Sequence, residues 1–332
     1  MKLLQIATTA GRPCGVGNFA LNLAEALTSV GVEVDTVTDL VDHPSADAIV
    51  VHHGWELFDD DREVGRFAAA VDRPVVVVAH YHGAEKFAPS VSGFIAMAEG
   101  IVGATTRPTL IVPHPAWTPA GLEQRSTLRE EFSLPHDRKV VGSNGFLVSL
   151  RAFPQIVESL VPVASDNGWF IDLSTSEWYR GDPEIVHDLQ GLSRRFPDLF
   201  RFNTVFLKPS ELNRRLQACD LLWCWTSIES TPYGSGSISD QYASGTRIVA
   251  ADKVQHEHVL RLPNVVRAPE ALDPFVDRLR GEMAGSAPGS RHDPEPVSWR
   301  HITSSLASFL DDIVTGFGRP GLRHHEYTPV PA

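Results

Sequence analysis

The stretch 230-STPYGSGSISDQYASGTRIVAAD-252 places Gly234, Ser235 and Gly236 directly before a helix-like segment, which Ser-Gly-Thr and a short β-branched run then follow. A glycine-serine loop that opens into a helix and returns to a strand is one beat of a βα rhythm. The backbone amides of Gly234, Ser235, Gly236 and Ser237, with the serine hydroxyls and the helix dipole behind them, form a natural seat for an anion such as a diphosphate. Asp240, one turn into the helix, could accept hydrogen bonds from sugar hydroxyls. The plainer alternative is an ordinary loop with an exposed acid near a helix start.

The same rhythm runs along nearly the whole chain. Strands are expected at 3–8, 32–37, 48–51, 74–79, 93–97 and 109–113, then at 139–144, 169–174, 202–207, 221–225 and 247–250. Near-continuous Val/Ile runs such as "PVVVVA" mean strands covered on both faces, as in a parallel sheet. Between the first two strands, Phe19, Leu23, Ala26, Leu27 and Val30 keep helical spacing, and Gly31 is placed to end the helix. "PHPAWTPAGLEQRS" breaks the pattern as a linker. The expected fold is α/β, two Rossmann-like doubly wound domains facing a cleft. The expected divisions are an N-terminal domain over 1–118, a C-terminal domain over 119–297, a helix over 298–316 crossing back to the N-terminal domain, and a tail over 317–332.

With 332 residues, 42% of them hydrophobic, the chain can build more than one ordinary core. A formal net charge of −12 disfavours nucleic acid and anionic lipid surfaces. Cys14, Cys219 and Cys224 lack zinc-type spacing and read as reduced thiols. The N-terminus turns polar too early for a signal peptide, and no apolar run approaches a membrane span, so a cytoplasmic protein is expected.

Three further features carry chemistry. "RPCGVGN" holds Gly15 and Gly17 in a strand-to-helix turn, where glycine serves either anion approach or tight packing. His52, His53, His80 and His82 follow two expected strands and read as acceptor-binding residues, structural residues or a metal site. The aspartates at 59–61 read as a helix start rather than a metal motif. Among the tryptophans, Trp55, Trp117 and Trp178 fall in expected loops and could stack on sugars, with packing as the alternative.

The opening stretch resembles the donor-site signature of retaining GT-B glycosyltransferases, the group that includes glycogen synthases, sucrose synthases and bacterial mannosyltransferases. "GVGNFALNLAEALTSVGVEVDTV", "KVVGSNGFLVSLRAF" and "ELNRRLQACDLLWCWTSIES" resemble that group's other segments, in the same order. The resemblance implies a nucleoside-diphosphate sugar as co-substrate and a small-molecule, glycan or other hydroxyl acceptor. It implies retention of anomeric configuration; no metal is expected where an arginine, the loop amides and the helix dipole suffice for the diphosphate, and no further cofactor is expected. It places Asp240 at the ribose and Gly234, Ser235, Gly236 and Ser237 at the diphosphate. It places Arg151 at the group's diphosphate-neutralising lysine and His80 near donor sugar and acceptor. Two positions depart from the pattern: Pro232 replaces the first acid of the donor loop, with Glu229 the nearest acid, and Phe146 replaces an arginine. These departures leave open a nucleotide-sugar-binding protein without turnover, and the histidines leave open a metal-dependent hydrolase.

Overall fold

The computed structural model describes residues 1–54, 57, 58, 60, 62–98, 100–177, 182–227, 234–285 and 291–317. The chain divides into two compact units: Met1–His114 with Thr231–Gly234 and Trp299–Ala332, and Pro115–Ser230 with Ser235–Ser298.

In the first unit, β1 (Lys2–Ile6), α1 (Gly15–Ser29), β2 (Glu33–Val37), β3 (Ala48–His53), α2 (Arg62–Ala70), β4 (Val75–Ala79), β5 (Gly93–Ala96) and β6 (Thr109–Ile111) follow in order. The strands form one parallel sheet ordered β2-β1-β3-β4-β5-β6. Every residue of β3 and β4 is buried, the environment their Val-rich sequences require. Phe19, Leu23, Ala26 and Leu27 of α1 are buried, whereas Val30 caps the helix end and is 47% exposed. The apolar stripe therefore stops before Val30, which the sequence spacing had included. The unit is completed from the far end of the chain by Trp299–Gly316, a helix labelled α10 below. Its Ile302, Leu306, Phe309, Leu310 and Ile313 are buried at helical spacing. Phe309 and Ile313 close over Gly93, where a Cβ would fall 3.0 Å from Ile313 Cδ1.

The second unit runs α3 (Arg125–Glu131), β7 (Lys139–Phe146), α4 (Phe153–Asp166), β8 (Trp169–Ser176), α5 (Pro183–Arg195), β9 (Phe200–Phe202), α6 (Pro209–Gln217), β10 (Leu221–Cys224), α7 (Gly236–Ala243), β11 (Ile248–Ala251), α8 (Glu257–Leu260), β12 (Val265–Ala268) and α9 (Leu272–Gly285), with α10 after it in the chain. Its parallel sheet is ordered β12-β11-β10-β7-β8-β9, so the chain winds outward in both directions from the β7/β10 junction. Two fully buried tryptophans, Trp169 and Trp223, anchor the core beside Phe153, Phe200 and Phe275. Buried carboxylates tie the layers together. Asp172 binds Arg201 and Arg215, and Asp220 accepts from the Val140 amide and pairs with Arg129.

Two strands differ from the sequence expectation. The strand expected at 202–207 lies at Phe200–Phe202. Asn203 stops it by turning its side-chain and backbone carbonyls onto the amide and hydroxyl of Thr175, and Val205 beyond is 65% exposed. β12 escaped the sequence reading because it is a four-residue edge strand whose pattern is half exposed. Among the described residues no helix is long and apolar enough to cross a membrane. The tail expected at 317–332 lies, Phe317 apart, outside the described residues.

Leu23→Ala is expected to destabilise the first unit by about 2–5 kcal/mol, the cost of a core cavity. Val30→Ala is expected to stay within about 0.5 kcal/mol of wild type. Denaturant melts of both variants check this, and equal effects would refute the packing assigned to α1.

Candidate functional site

Parallel doubly wound sheets bind ligands at the carboxyl ends of their strands, where the strand order reverses. In the second unit this place is the junction of β7 and β10. Three polar side chains build it. Ser143 Oγ donates to the Trp223 carbonyl at 2.7 Å. Gln241 Nε2, from α7, donates to the same carbonyl at 2.7 Å and to Asn144 Oδ1 at 3.0 Å. Gln241 is fully buried, so these bonds lock α7 onto both strands.

The amino end of α7 then lies beside the turn that follows β7. Gly145 has a φ of 135°, which L side chains rarely adopt, and a Cβ there would fall 3.1 Å from Ser237 Oγ and 3.5 Å from Arg151 Cζ. The turn carries Arg151 to α7, where its Nη2 donates to Ser237 Oγ at 2.8 Å and its Nη1 points to Cys224 Sγ at 3.8 Å. Among the described residues no carboxylate pairs with Arg151. The first turn of α7 holds no acid, and among the described residues no side chain caps it. Its first amides, those of Gly236 and Ser237, have no intrahelical acceptor by helix geometry. The Ser235 amide is already used by the Gln255 carbonyl at 3.2 Å, while the Ser235 hydroxyl is buried with no partner among the described residues. A partly buried guanidinium, open helix amides and a hydroxyl with no partner among the described residues are thus gathered at the amino end of α7.

Asp240 sits one turn further along, within 3.4 Å of Asn144 Nδ2. Burial, and secondarily the charge of Cys224, push its carboxyl up to about 7. Burial also opposes ionisation of the Cys224 thiol, but His256 and Arg151 outweigh it and leave the thiol more acidic than usual.

In the first unit the order reverses between β1 and β3. Gly17, in the first turn of α1, packs so tightly on the loop after β1 that a Cβ would fall 2.2 Å from the Thr9 carbonyl oxygen. Its glycine therefore has a packing role. Gly15 opens the helix and is exposed. His52 Nδ1 and His80 Nε2 are 3.0 Å apart, one donating to the other. Burial lowers His52 to about 3 and, with its neighbouring histidines, drives His80 well below the ordinary imidazole range, so both are neutral at pH 7. The Phe19 ring meets those of His52, His80, His114 and Trp299, at centroid distances of 5.9, 4.9, 5.3 and 5.0 Å. His53 instead packs between Phe58 and Phe87, and His82 is exposed. Gly234 belongs to this unit by its contacts, against Met97 and His114.

The structure thus brings together Arg151, Ser235, Gly236, Ser237 and Asp240 in one unit, and His80, Gly15 and Gly17 at the corresponding edge of the other. The positions of Pro232, Glu229, Trp55, Trp178, Asp59 and Asp61 lie outside the described residues. Asp60 accepts from the Arg62 amide at 2.8 Å at the start of α2, as a helix-start acid does. Among the described residues no group of three or more His, Cys, Asp or Glu is placed to hold a metal ion. Sequence reasoning missed Asn144, Gln241, Cys224 and His256. Their roles come from side chains meeting across strands distant in sequence, which no local spacing announces.

Asp240→Asn is expected to stabilise the protein selectively at high pH. The folded carboxyl holds its proton more tightly than the unfolded one, so stability falls as pH rises from about 4 through the folded value. The variant should melt within about 1 °C of wild type near pH 4 and at least about 2 °C above it near pH 8. The same difference at both pH values would show that Asp240 is not desolvated.

No known family profile matches the chain, and no curated protein matches it in sequence. Solved structures do match its fold. Sucrose-phosphate synthase from Thermosynechococcus elongatus is similar with a TM-score of 0.61 at 13% identity, over 96% of this chain and 98% of that one. Anabaena HepE, solved with UDP and glucose, gives 0.62 at 15% identity over 95% and 96%. The catalytic domain of starch synthase IV from Arabidopsis thaliana, bound to ADP and acarbose, gives 0.61 at 12% identity over 95% and 98%. The chain has the fold of these GT-B glycosyltransferases, two Rossmann-like domains each built on a parallel six-stranded sheet.

Proposed function

We propose that this chain is a glycosyltransferase that moves a sugar from a nucleoside diphosphate to an acceptor hydroxyl, with retention and without a metal. The observation that carries the reading is Arg151, a cation without a carboxylate partner among the described residues, held on Ser237 at the uncapped amino end of α7. The nucleotides bound by Anabaena HepE and the Arabidopsis synthase support the same reading.

In this mechanism the second unit binds the donor. The Gly236 and Ser237 amides, the Ser235 hydroxyl and Arg151 hold the diphosphate, and Asp240 accepts hydrogen bonds from the ribose. The bond between the anomeric carbon and the phosphate oxygen breaks, and its electron pair stays on the diphosphate. Arg151 and the α7 dipole stabilise that charge as it grows. The acceptor oxygen joins the anomeric carbon on the face the phosphate leaves, and its proton passes to the departing phosphate oxygen. The first unit binds the acceptor. There His80, neutral at pH 7, acts as a hydrogen-bonding group rather than a charge. Free, buried Cys14, Cys219 and Cys224 fit a reducing, cytoplasmic setting.

One observation favours a second reading, donor binding without turnover. Phe146, where the resemblance implies an arginine, stacks on Phe206 with ring centroids 6.0 Å apart and adds no charge to the diphosphate seat. Turnover of any donor would dismiss it.

A thermal-shift screen of nucleoside-diphosphate sugars is expected to find a ligand that raises the melting temperature, since binding to the native state stabilises it. Arg151→Ala is expected to lower turnover by about 30- to 1,000-fold, or about 2–4 kcal/mol of transition-state stabilisation, with little change in acceptor KM. Wild-type turnover in that variant would remove Arg151 from the mechanism. EDTA is expected to leave turnover intact. Loss of activity, restored by a divalent ion, would overturn metal independence.

A further inference from the structure

Cys224 is the last residue of β10 and is 1% exposed, and nothing in the transfer mechanism uses it. Its sulfur is 3.8 Å from Arg151 Nη1 and 3.5 Å from His256 Nε2. His256, fully buried after β11, lies with Nδ1 2.9 Å from the Ala251 carbonyl oxygen. A carbonyl only accepts, so Nδ1 carries a proton and Nε2 is the nitrogen that faces the thiol. The register of β10 on β11, with Cys224 opposite Ala250, sets this alignment.

We propose that Cys224 and His256 are positioning residues for Arg151: the sulfur holds one arm of the guanidinium at the amino end of α7, and the protonation of the thiol sets how strongly Arg151 holds a diphosphate. The proposal rests on the reading of Arg151 as a diphosphate ligand. An arginine that must bind an incoming anion needs an orienting partner that does not neutralise it. A carboxylate in that place would form an ion pair and compete with the diphosphate. A protonated thiol accepts weakly and leaves the charge intact. The charged and titratable groups facing the sulfur are Arg151 from the turn after β7, His256 from the segment after β11 and Asp240 from α7. When the Cys224–His256 pair releases one proton to solvent, its net charge falls by one beside Arg151. Diphosphate binding is then weakened, and by linkage a bound diphosphate makes the thiol harder to ionise.

The test follows the ultraviolet thiolate absorbance of the full-length protein against pH, as the difference between wild type and Cys224→Ser, so that Cys14 and Cys219 cancel. The thiol should ionise below the ordinary value of about 8.5. Arg151→Ala should raise its midpoint by about half a pH unit or more, and saturating UDP should do the same to wild type. In calorimetry near pH 6.5, Cys224→Ala should bind UDP about three- to tenfold more weakly, the worth of one hydrogen bond, and Cys224→Ser should restore the affinity. An unchanged midpoint in Arg151→Ala overturns the proposal. So does a folded Cys224→Ala that binds UDP like wild type. If neither UDP nor any other nucleoside diphosphate binds wild type, the donor reading fails, and the thiol midpoint in Arg151→Ala still decides whether Cys224 and Arg151 are coupled.

Discussion

The backbone at Gly145 decides where Arg151 sits in the second unit. Its φ of 135° turns the chain at the end of β7 so that Arg151, six residues on, reaches the amino end of α7. A side chain at Gly145 would meet both Ser237 and Arg151 while forcing a strained backbone. The turn is useful only because α7 is fixed independently, by Gln241 bridging the Trp223 carbonyl and Asn144. One glycine and one buried amide therefore set the distance between a cation and a helix dipole, the two features on which the proposed diphosphate seat rests.

The handling of charge elsewhere in the unit gives this arrangement its meaning. Arg201 and Arg215 share Asp172, Arg125 and Arg129 share Asp220, and Arg214 lies between Glu123 and Glu131. Each of these guanidiniums is compensated, as partly buried charges generally must be. Arg151 is instead bonded to a hydroxyl and a thiol. Among the described residues Arg151 has no carboxylate partner, which is the feature the proposed diphosphate role rests on.

The first unit handles its titratable groups in the opposite way. Among the described residues His52 and His80 have no carboxylate partner, and they are kept neutral by burial beneath Phe19, whose ring also meets His114 and Trp299. The hydroxyls of Thr8 and Thr9 and Nε2 of His52 are buried without partners among the described residues. Buried polar atoms of this kind cost free energy unless a ligand or water completes them. In the proposed reaction this neutral, aromatic environment is the one assigned to the acceptor, and the cationic one in the second unit to the donor.

The sequence exposed the fold wherever burial is continuous. Val75–Ala79 is readable because a parallel strand covered on both faces admits little besides β-branched residues. Val265–Ala268 was not, because an edge strand exposes part of its pattern and keeps an arginine. The same distinction divides the site. Ser237 and Asp240 were legible because a helix start constrains its own neighbours in sequence, and Arg151 was legible only through resemblance. Cys224 and His256 gave no signal, since a thiol in "LLWCW" reads as one more core residue. What distinguishes it is the ring nitrogen that β11 turns toward it and the guanidinium that Gly145 delivers, and both come from parts of the chain more than thirty residues away. A site at a strand-order reversal is assembled from segments that topology brings together, so its positioning residues become visible only once the sheet is closed.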